Sequence, residues 1–386
     1  MTSQSDARPG YPAARMVAER VHPHFARNLA ALNGGEGRRV AFLPEIEDIE
    51  AIIDVAFWAS LRREESFTPR ISLAFVSPEQ LEAPLVFERA VPFASTPLTR
   101  IGPAVERPGI HLCVWRQNPA DLCVWGATRG LPESCFVLEV VSPGLLLIKR
   151  SRGEDSTKFV NIAVLQGDEI KIIDRTVTAA PDRPELLSSL LGFQPEADSS
   201  GSIDVLIQLS VSMREHGRGG SLLVVPSRAG GLWKESILQP ITYALSPSFR
   251  GLMELMEEDP GERLRPRWQD RLRRVIGGVA GLTAVDGATI ITDRYELLAF
   301  GAKIVRRAGC AQVGALLVSE PIEGITALVA EPGELGGTRH LSAAQFAHDQ
   351  RDAIALVASQ DGRFTVFGWS SCDEMVYANR IEALLF

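Results

Sequence analysis

Apolar side chains recur at helical spacing over residues 46–61, at Ile49, Ile52, Ile53, Ala56 and Phe57, and predict an amphipathic helix. Short apolar runs over 71–76, 145–149 and 159–165 read as strands. Gly167-Asp168 then turns the last of these into 170–173, a hairpin. Further along, 203–216 has helical character and 217–220, three glycines and an arginine, ends it. Residues 221–225 form a buried-strand pattern closed by Pro226, and 262–275 reads as a long helix carrying Arg271, Arg273 and Arg274. Strands are expected over 289–292 and 295–300 around an Asp293-Arg294 turn, and a helix from Thr338. Strands 353–358 and 363–367 meet around Asp361-Gly362, a favoured hairpin pair. Both halves are therefore α/β.

The clearest seam is the polar, breaker-rich run 194–202. It divides a flexible tail (1–14) and a first α/β domain (15–195) from a second (203–386), and no internal repeat is apparent. A length of 386 residues suits two such domains.

Composition narrows the functional classes. Hydrophobic residues make up 45% and charged residues 23%, the profile of a soluble globular protein. The net charge of −8 gives no basic field for nucleic acid or an anionic membrane, so neither partner is expected. The most apolar stretch, 135–148, is interrupted by Glu139 and Pro143-Gly144 and cannot span a bilayer. Five cysteines without a C-x-x-C pair read as reduced, mostly packed thiols of a cytoplasmic protein, and no zinc spacing is present. The glycines at 277–281 follow no strand, which rejects a dinucleotide fingerprint, and His22, His24 and His111 receive no role.

Two patches carry candidate chemistry. Asp286-Gly287-Ala288 stands just ahead of a strand, and its carboxylate can hold Mg²⁺ or Mn²⁺ and a sugar hydroxyl between small neighbours. Gly336-Gly337-Thr338-Arg339-His340 opens a helix, with Thr338 as the expected N-cap. The N–H groups of a first helical turn favour an anion, and Arg339 adds a fork of donors suited to phosphate. Taken alone, Asp286-Gly287 before a strand reads more often as only a turn, and Thr338-Arg339-His340 as capping plus surface charge.

Together, Asp286-Gly287-Ala288 and Gly337-Thr338-Arg339-His340-Leu341 resemble the D-G-A and G-T-R-H-R motifs of the diadenylate-cyclase domain of bacterial DNA-integrity-scanning proteins and membrane-bound cyclases. The likeness covers roughly 203–386, including the strand of 220–225, the Leu245-Ser246-Pro247 region and the strand ending at Ser359. It implies a mixed β-sheet flanked by helices that condenses two ATP into cyclic di-AMP. By this resemblance Asp286 binds the metal and helps activate the 3′-hydroxyl, with Gly287 and Ala288 beside it. Gly337, Thr338, Arg339 and His340 hold the triphosphate, His340 also serving the metal, and Ser359 lies near the phosphates. The backbone of 300–304, with Gly301 and Ile304, contacts adenine. Two domains face each other, one ATP in each, so a homo-oligomer is implied.

Three departures stand out: Leu341 replaces the second arginine, Gln360-Asp361 stands where acidic residues follow the serine, and 257–281 looks inserted. The first two keep open a second reading, a cyclase-like nucleotide sensor without turnover. The first half resembles the sensor-like domains fused to some soluble cyclases, through residues 56–65 and 149–155. That likeness implies an unknown small-molecule ligand. Lys149, Arg150 and Arg152 are either an anion site or a solvated loop.

Overall fold

The computed structural model describes residues 10–32, 39–63, 68, 70–118, 121–152, 159–174, 205–228, 230–263 and 265–386. The chain divides into two compact units, Met1–Ile173 and Asp174–Phe386, and the expected seam at 194–202 lies outside the described residues.

In the N-terminal unit α1 (Ala14–Leu32) and α2 (Ile46–Ser60) precede β1 (Ile71–Phe75), β2 (Leu85–Pro92), α3 (Ser95–Ile101), β3 (His111–Asn118) and β4 (Asp121–Thr128). Then come β5 (Phe136–Ser142), β6 (Leu145–Ser151), β7 (Phe159–Gln166) and β8 (Glu169–Ile172). The eight strands form one mixed sheet in the order β2-β4-β3-β1-β5-β6-β7-β8, with β1 parallel to β3. Strand alternation sorts the core onto two faces. Ile71, Leu73, Phe75, Phe136 and Leu138 pack with Val17, Phe25, Ile49 and Ile53 of α1 and α2. Ala74, Val76, Cys113, Cys135 and Val137 pack on the other side. Burial pushes the Cys113 thiol up to about 12 and raises that of Cys135, so both behave as small apolar groups.

Helix α2 matches its apolar period. At its start the Glu45 N–H donates to Asp48 Oδ2 at 2.9 Å, and Arg116 of β3 donates to Asp48 Oδ1 at 3.0 Å. Two expectations change. The tail is shorter than 1–14, because Tyr11 is buried with its ring stacked 3.9 Å from that of Phe57, and Ala14 begins α1. Residues 1–9 lie outside the described ones. The Lys149-Arg150 stretch is strand β6, not a loop, and Lys149 is buried against Glu139 at 2.6 Å.

In the C-terminal unit α4 (Val205–Glu215) leads into β9 (Gly220–Val225), and β10 (Tyr243–Phe249) into α5 (Gly251–Glu257) and α6 (Pro266–Leu282). Strands β11 (Ala288–Thr292), β12 (Leu297–Ala302), β13 (Leu316–Ser319) and β14 (Leu328–Ala330) precede α7 (Thr338–Asp349). Strands β15 (Ile354–Ala358), β16 (Phe364–Ser370) and β17 (Met375–Arg380) close the unit. The sheet runs β10-β12-β11-β9-β15-β16-β17-β13-β14, mostly antiparallel, with β9 parallel to β11 and β13 parallel to β17. Helices flank both faces. Leu222 and Val224 of β9 meet α4, α5 and α6, whereas Leu223 and Val225 meet Ala343, Phe346 and Ala347 of α7.

The stretch that looks inserted is part of this core: Trp268, Leu272, Ile276 and Val279 of α6 are buried. Its arginines stay on the solvent side, with Arg271 on Glu258 at 2.9 Å and Arg273 on Asp270 at 3.0 Å. Strand β12 starts at Leu297, not at 295, because Tyr295 takes a left-handed φ of 65° in the turn. No helix among the described residues is long and apolar enough to cross a membrane.

Candidate functional site

Register brings the two motif regions to one end of the second sheet. Ala288, at the start of β11, pairs with Ser221 of β9, and Gly220 pairs with Ala358, at the end of β15. Asp286-Gly287 therefore leads into the same sheet end from which Ser359–Gly362 turns away.

Gly287 and Gly301 allow the close approach this needs. Gly287 has φ 109°, and a Cβ there would lie 2.5 Å from the carbonyl carbon of Gly301. Gly301, also left-handed at φ 64°, lies against the Tyr243 ring, which stacks on Phe300 with centroids 4.7 Å apart. Ala288 pairs with Ala302, and Ile304 bridges to Ile237. Residues 286–288 and 301–304 are thus one contiguous patch.

The Asp286 carboxylate is exposed, and Lys303 Nζ lies 2.5 Å from Oδ2. The Lys303 ammonium holds this carboxyl below the usual range, helped by Arg339 and by the Gly287 N–H. Lys303 lies within the 300–304 stretch, but its pairing with Asp286 spans 17 residues and shows in no local pattern.

Helix α7 starts at Thr338, as expected, but its N-cap is not Thr338. Gly337, in extended backbone, is the N-cap, and its carbonyl accepts the His340 and Leu341 N–H groups at 3.0 and 3.3 Å. Thr338 is the first helical residue, exposed, and makes no capping hydrogen bond. Arg339 reaches across the sheet end: a Cβ on Gly219 would lie 3.0 Å from its Nη1 and 3.2 Å from the Ala358 carbonyl oxygen. Gly219 is the missed member of the site: its φ of 69° favours glycine, and a Cβ there would crowd Arg339 and the Ala358 carbonyl.

His340 is buried, edge-on to Phe367, with its imidazole against Gly336. Burial lowers its pKa, against the pull of Asp361 and with the help of Arg363, Arg380 and Arg339, so the ring is neutral at pH 7. A Cβ on Gly336 would meet Nδ1 at 2.6 Å. Gly336→Ala is therefore expected to push the ring toward solvent and raise its pKa toward the ordinary histidine value. Imidazole NMR titration reads this, and an unchanged midpoint would contradict the packing.

The β15–β16 turn supplies Ser359 and Asp361. The Ser359 hydroxyl donates to Asp361 and, as the main cause, holds that carboxyl low. The turn closes through Gly362 N–H to the Ser359 carbonyl at 3.2 Å. Arg214 of α4 pins it, donating from Nε to the Gly362 carbonyl at 3.0 Å and from Nη1 to the Glu382 carbonyl at 3.2 Å. Arg214→Ala is expected to cost about 2 kcal/mol, by leaving the Gly362 carbonyl without its donor, removing one of two donors on the Glu382 carbonyl and losing the guanidinium stacked over Phe386. It should also speed amide exchange in the turn; denaturant titration and hydrogen exchange measure the two effects.

Among the described residues no three His, Cys, Asp or Glu side chains cluster as a metal site. An exposed, ionised Asp286 still fits Mg²⁺ or Mn²⁺ of the kind anchored by one carboxylate and completed by phosphates and water. The neutral His340 ring is chemically a ligand, but it is packed between Gly336 and Phe367. A separate cleft of about 460 Å³, lined by Ser227, Arg228, Asp293 and Arg294, lies at the opposite ends of β9 and β11 and includes none of the motif residues.

No curated protein matches the chain. Residues 38–129, which hold α2, α3 and β1 to β4, match the family described as "Probable sensor domain DACNV". The match reaches no residue of the C-terminal unit; residues 38–129 of the N-terminal unit are similar to the probable N-terminal sensor domain of diadenylate cyclases.

Proposed function

We propose that the chain is a diadenylate cyclase, condensing two ATP into cyclic di-AMP and two pyrophosphates under control of its N-terminal sensor unit. The observation that carries this reading is the convergence of Asp286 and Arg339, which lie 53 positions apart, on one sheet end where Arg339 acts on the Asp286 carboxyl. The sensor-domain match supports it from the other unit.

In this reading two C-terminal units face each other, each with one ATP. The 3′-oxygen of one nucleotide forms a bond to the α-phosphorus of the other, the α–β bridging bond breaks, and pyrophosphate leaves. The hydroxyl proton ends in solvent, and the second attack closes the ring. Asp286 orients the hydroxyl and anchors the cation. Mg²⁺ or Mn²⁺, when bound, supplies charge neutralisation on the phosphates and acidifies the hydroxyl. Arg339 offers its fork to phosphate oxygens, and the N–H groups of Thr338 and Arg339 face the same anion. His340, neutral, fixes the first turn of α7 against the sheet, and Ser359 is oriented by Asp361. The backbone of 301–304 borders adenine.

Incubation of the full chain with ATP and Mn²⁺ is expected to yield cyclic di-AMP and pyrophosphate by mass detection, with GTP present as competitor to test base selectivity. No product with either metal would overturn the reading. Leu341, exposed where the second motif arginine is expected, favours one rival: a nucleotide-binding sensor without turnover. Calorimetric ATP binding in the absence of product would select it.

A further inference from the structure

The first turn of α7 carries one cation fewer than the motif it resembles. Leu341 is 39% exposed in the first turn of α7, so the helix offers a single side-chain cation, Arg339, beside its N–H groups. A second cation stands across the site. Lys303 follows β12, and its backbone is held where its carbonyl accepts the Leu238 N–H at 2.8 Å. Its ammonium is half exposed, and the contact described for it is the Asp286 carboxylate.

That ion pair has little value for stability. Both side chains are open to water, Asp286 at 85% and Lys303 at 51%, and exposed pairs contribute little to folding. It does hold an ammonium in the site, because Arg339 acts on the same carboxylate. A cation at Asp286 competes with Lys303 for the carboxylate and frees the ammonium, on a flexible four-carbon stem with three donors.

We propose that Lys303 is a triphosphate contact that replaces the charge missing at Leu341, a reading that rests on the proposed nucleotide site. The side chain passes from the carboxylate to a phosphate oxygen when nucleotide and metal enter. It acts on the β- and γ-phosphates, which AMP lacks, so it distinguishes ATP from AMP and leaves the base and sugar contacts unchanged.

Calorimetry on the full chain with Ca²⁺, comparing ATP and AMP, tests this. Lys303→Gln is expected to weaken ATP binding about tenfold and leave AMP binding unchanged. Leu341→Arg placed on the Lys303→Gln chain should restore most of the ATP affinity by returning the cation from the helix side. Equal ATP affinity for wild type and Lys303→Gln would overturn the proposal, as would equal weakening of ATP and AMP, or failure of the second substitution to rescue. If the unsubstituted chain bound no ATP, the nucleotide-site reading itself would fall, and the inference with it. Binding without product leaves this test intact while removing the cyclase reading.

Discussion

Asp286→Asn is expected to lower cyclic di-AMP formation about 10³-fold while leaving the melting temperature of the chain unchanged. The substitution is nearly isosteric, and the side chain is exposed, so no core contact is lost. What changes is charge. The carboxylate is held ionised by Lys303, Arg339 and the Gly287 N–H, so it is fully negative at neutral pH and serves as an anchor and acceptor. An amide keeps the shape but is neutral, so it is a poor anchor for a divalent cation and a weak acceptor for the hydroxyl proton. ATP affinity without metal should fall little, which separates this effect from a collapsed site. Product formed at a rate near that of the unsubstituted chain would remove Asp286 from the mechanism.

Much of this arrangement can be read before folding, and the reasons differ by element. Helix α2 and strands β6, β7 and β9 carry clean periods, because each buries one helix stripe or whole strand faces. Helix α1 hides itself: Pro23 lies inside it, and Arg15, Glu19, Arg20, His22 and His24 break up the apolar stripe of Val17, Val21 and Phe25. Strand β10 lies on the sheet edge, mostly exposed and with Pro247 inside, so no alternation marks it. Strands β13 and β14 have four and three residues, too few to show a period.

The same divide runs through the candidate site. Asp286 and Thr338-Arg339-His340 announce themselves as motifs, but the partners that set their chemistry come from elsewhere in the chain. Lys303 meets Asp286 only because β12 returns antiparallel to β11, and Gly219 admits Arg339 only because β9 and β15 are neighbours. Arg214 acts through the turn that carries Ser359 and Asp361 across a separation of 148 residues. Such contacts follow from topology, which local patterns do not encode.

The N-terminal unit holds a titrating group whose effect should be nearly as large. His111 is 1% exposed, between Thr128 and Ser72, with Nδ1 2.7 Å from the Ser72 hydroxyl oxygen and Nε2 buried without a hydrogen-bond partner. Phe159 stands edge-on to the ring, and the Lys149–Glu139 pair is the charge that faces it. Burial, with Lys149 adding to it and Glu139 opposing, pushes its pKa down to about 4 from the ordinary 6.5. The unfolded chain therefore takes up a proton near pH 6.5, whereas the folded unit resists until about pH 4. Stability contributed by the neutral, buried ring is complete above pH 6.5 and is lost as pH falls through that window. The loss should reach about 2 kcal/mol at pH 5 and about 3 kcal/mol at pH 4. His111→Asn can keep the bond to Ser72 and cannot titrate, so it should flatten this part of the profile. Hydrogen exchange of β1 and β3 amides in the full chain, run from pH 7 to pH 4.5 for both proteins, isolates the histidine from carboxylates that titrate in each. Parallel profiles for the two would mean that His111 is already protonated in the folded unit, or that its seat is wetter than its burial indicates.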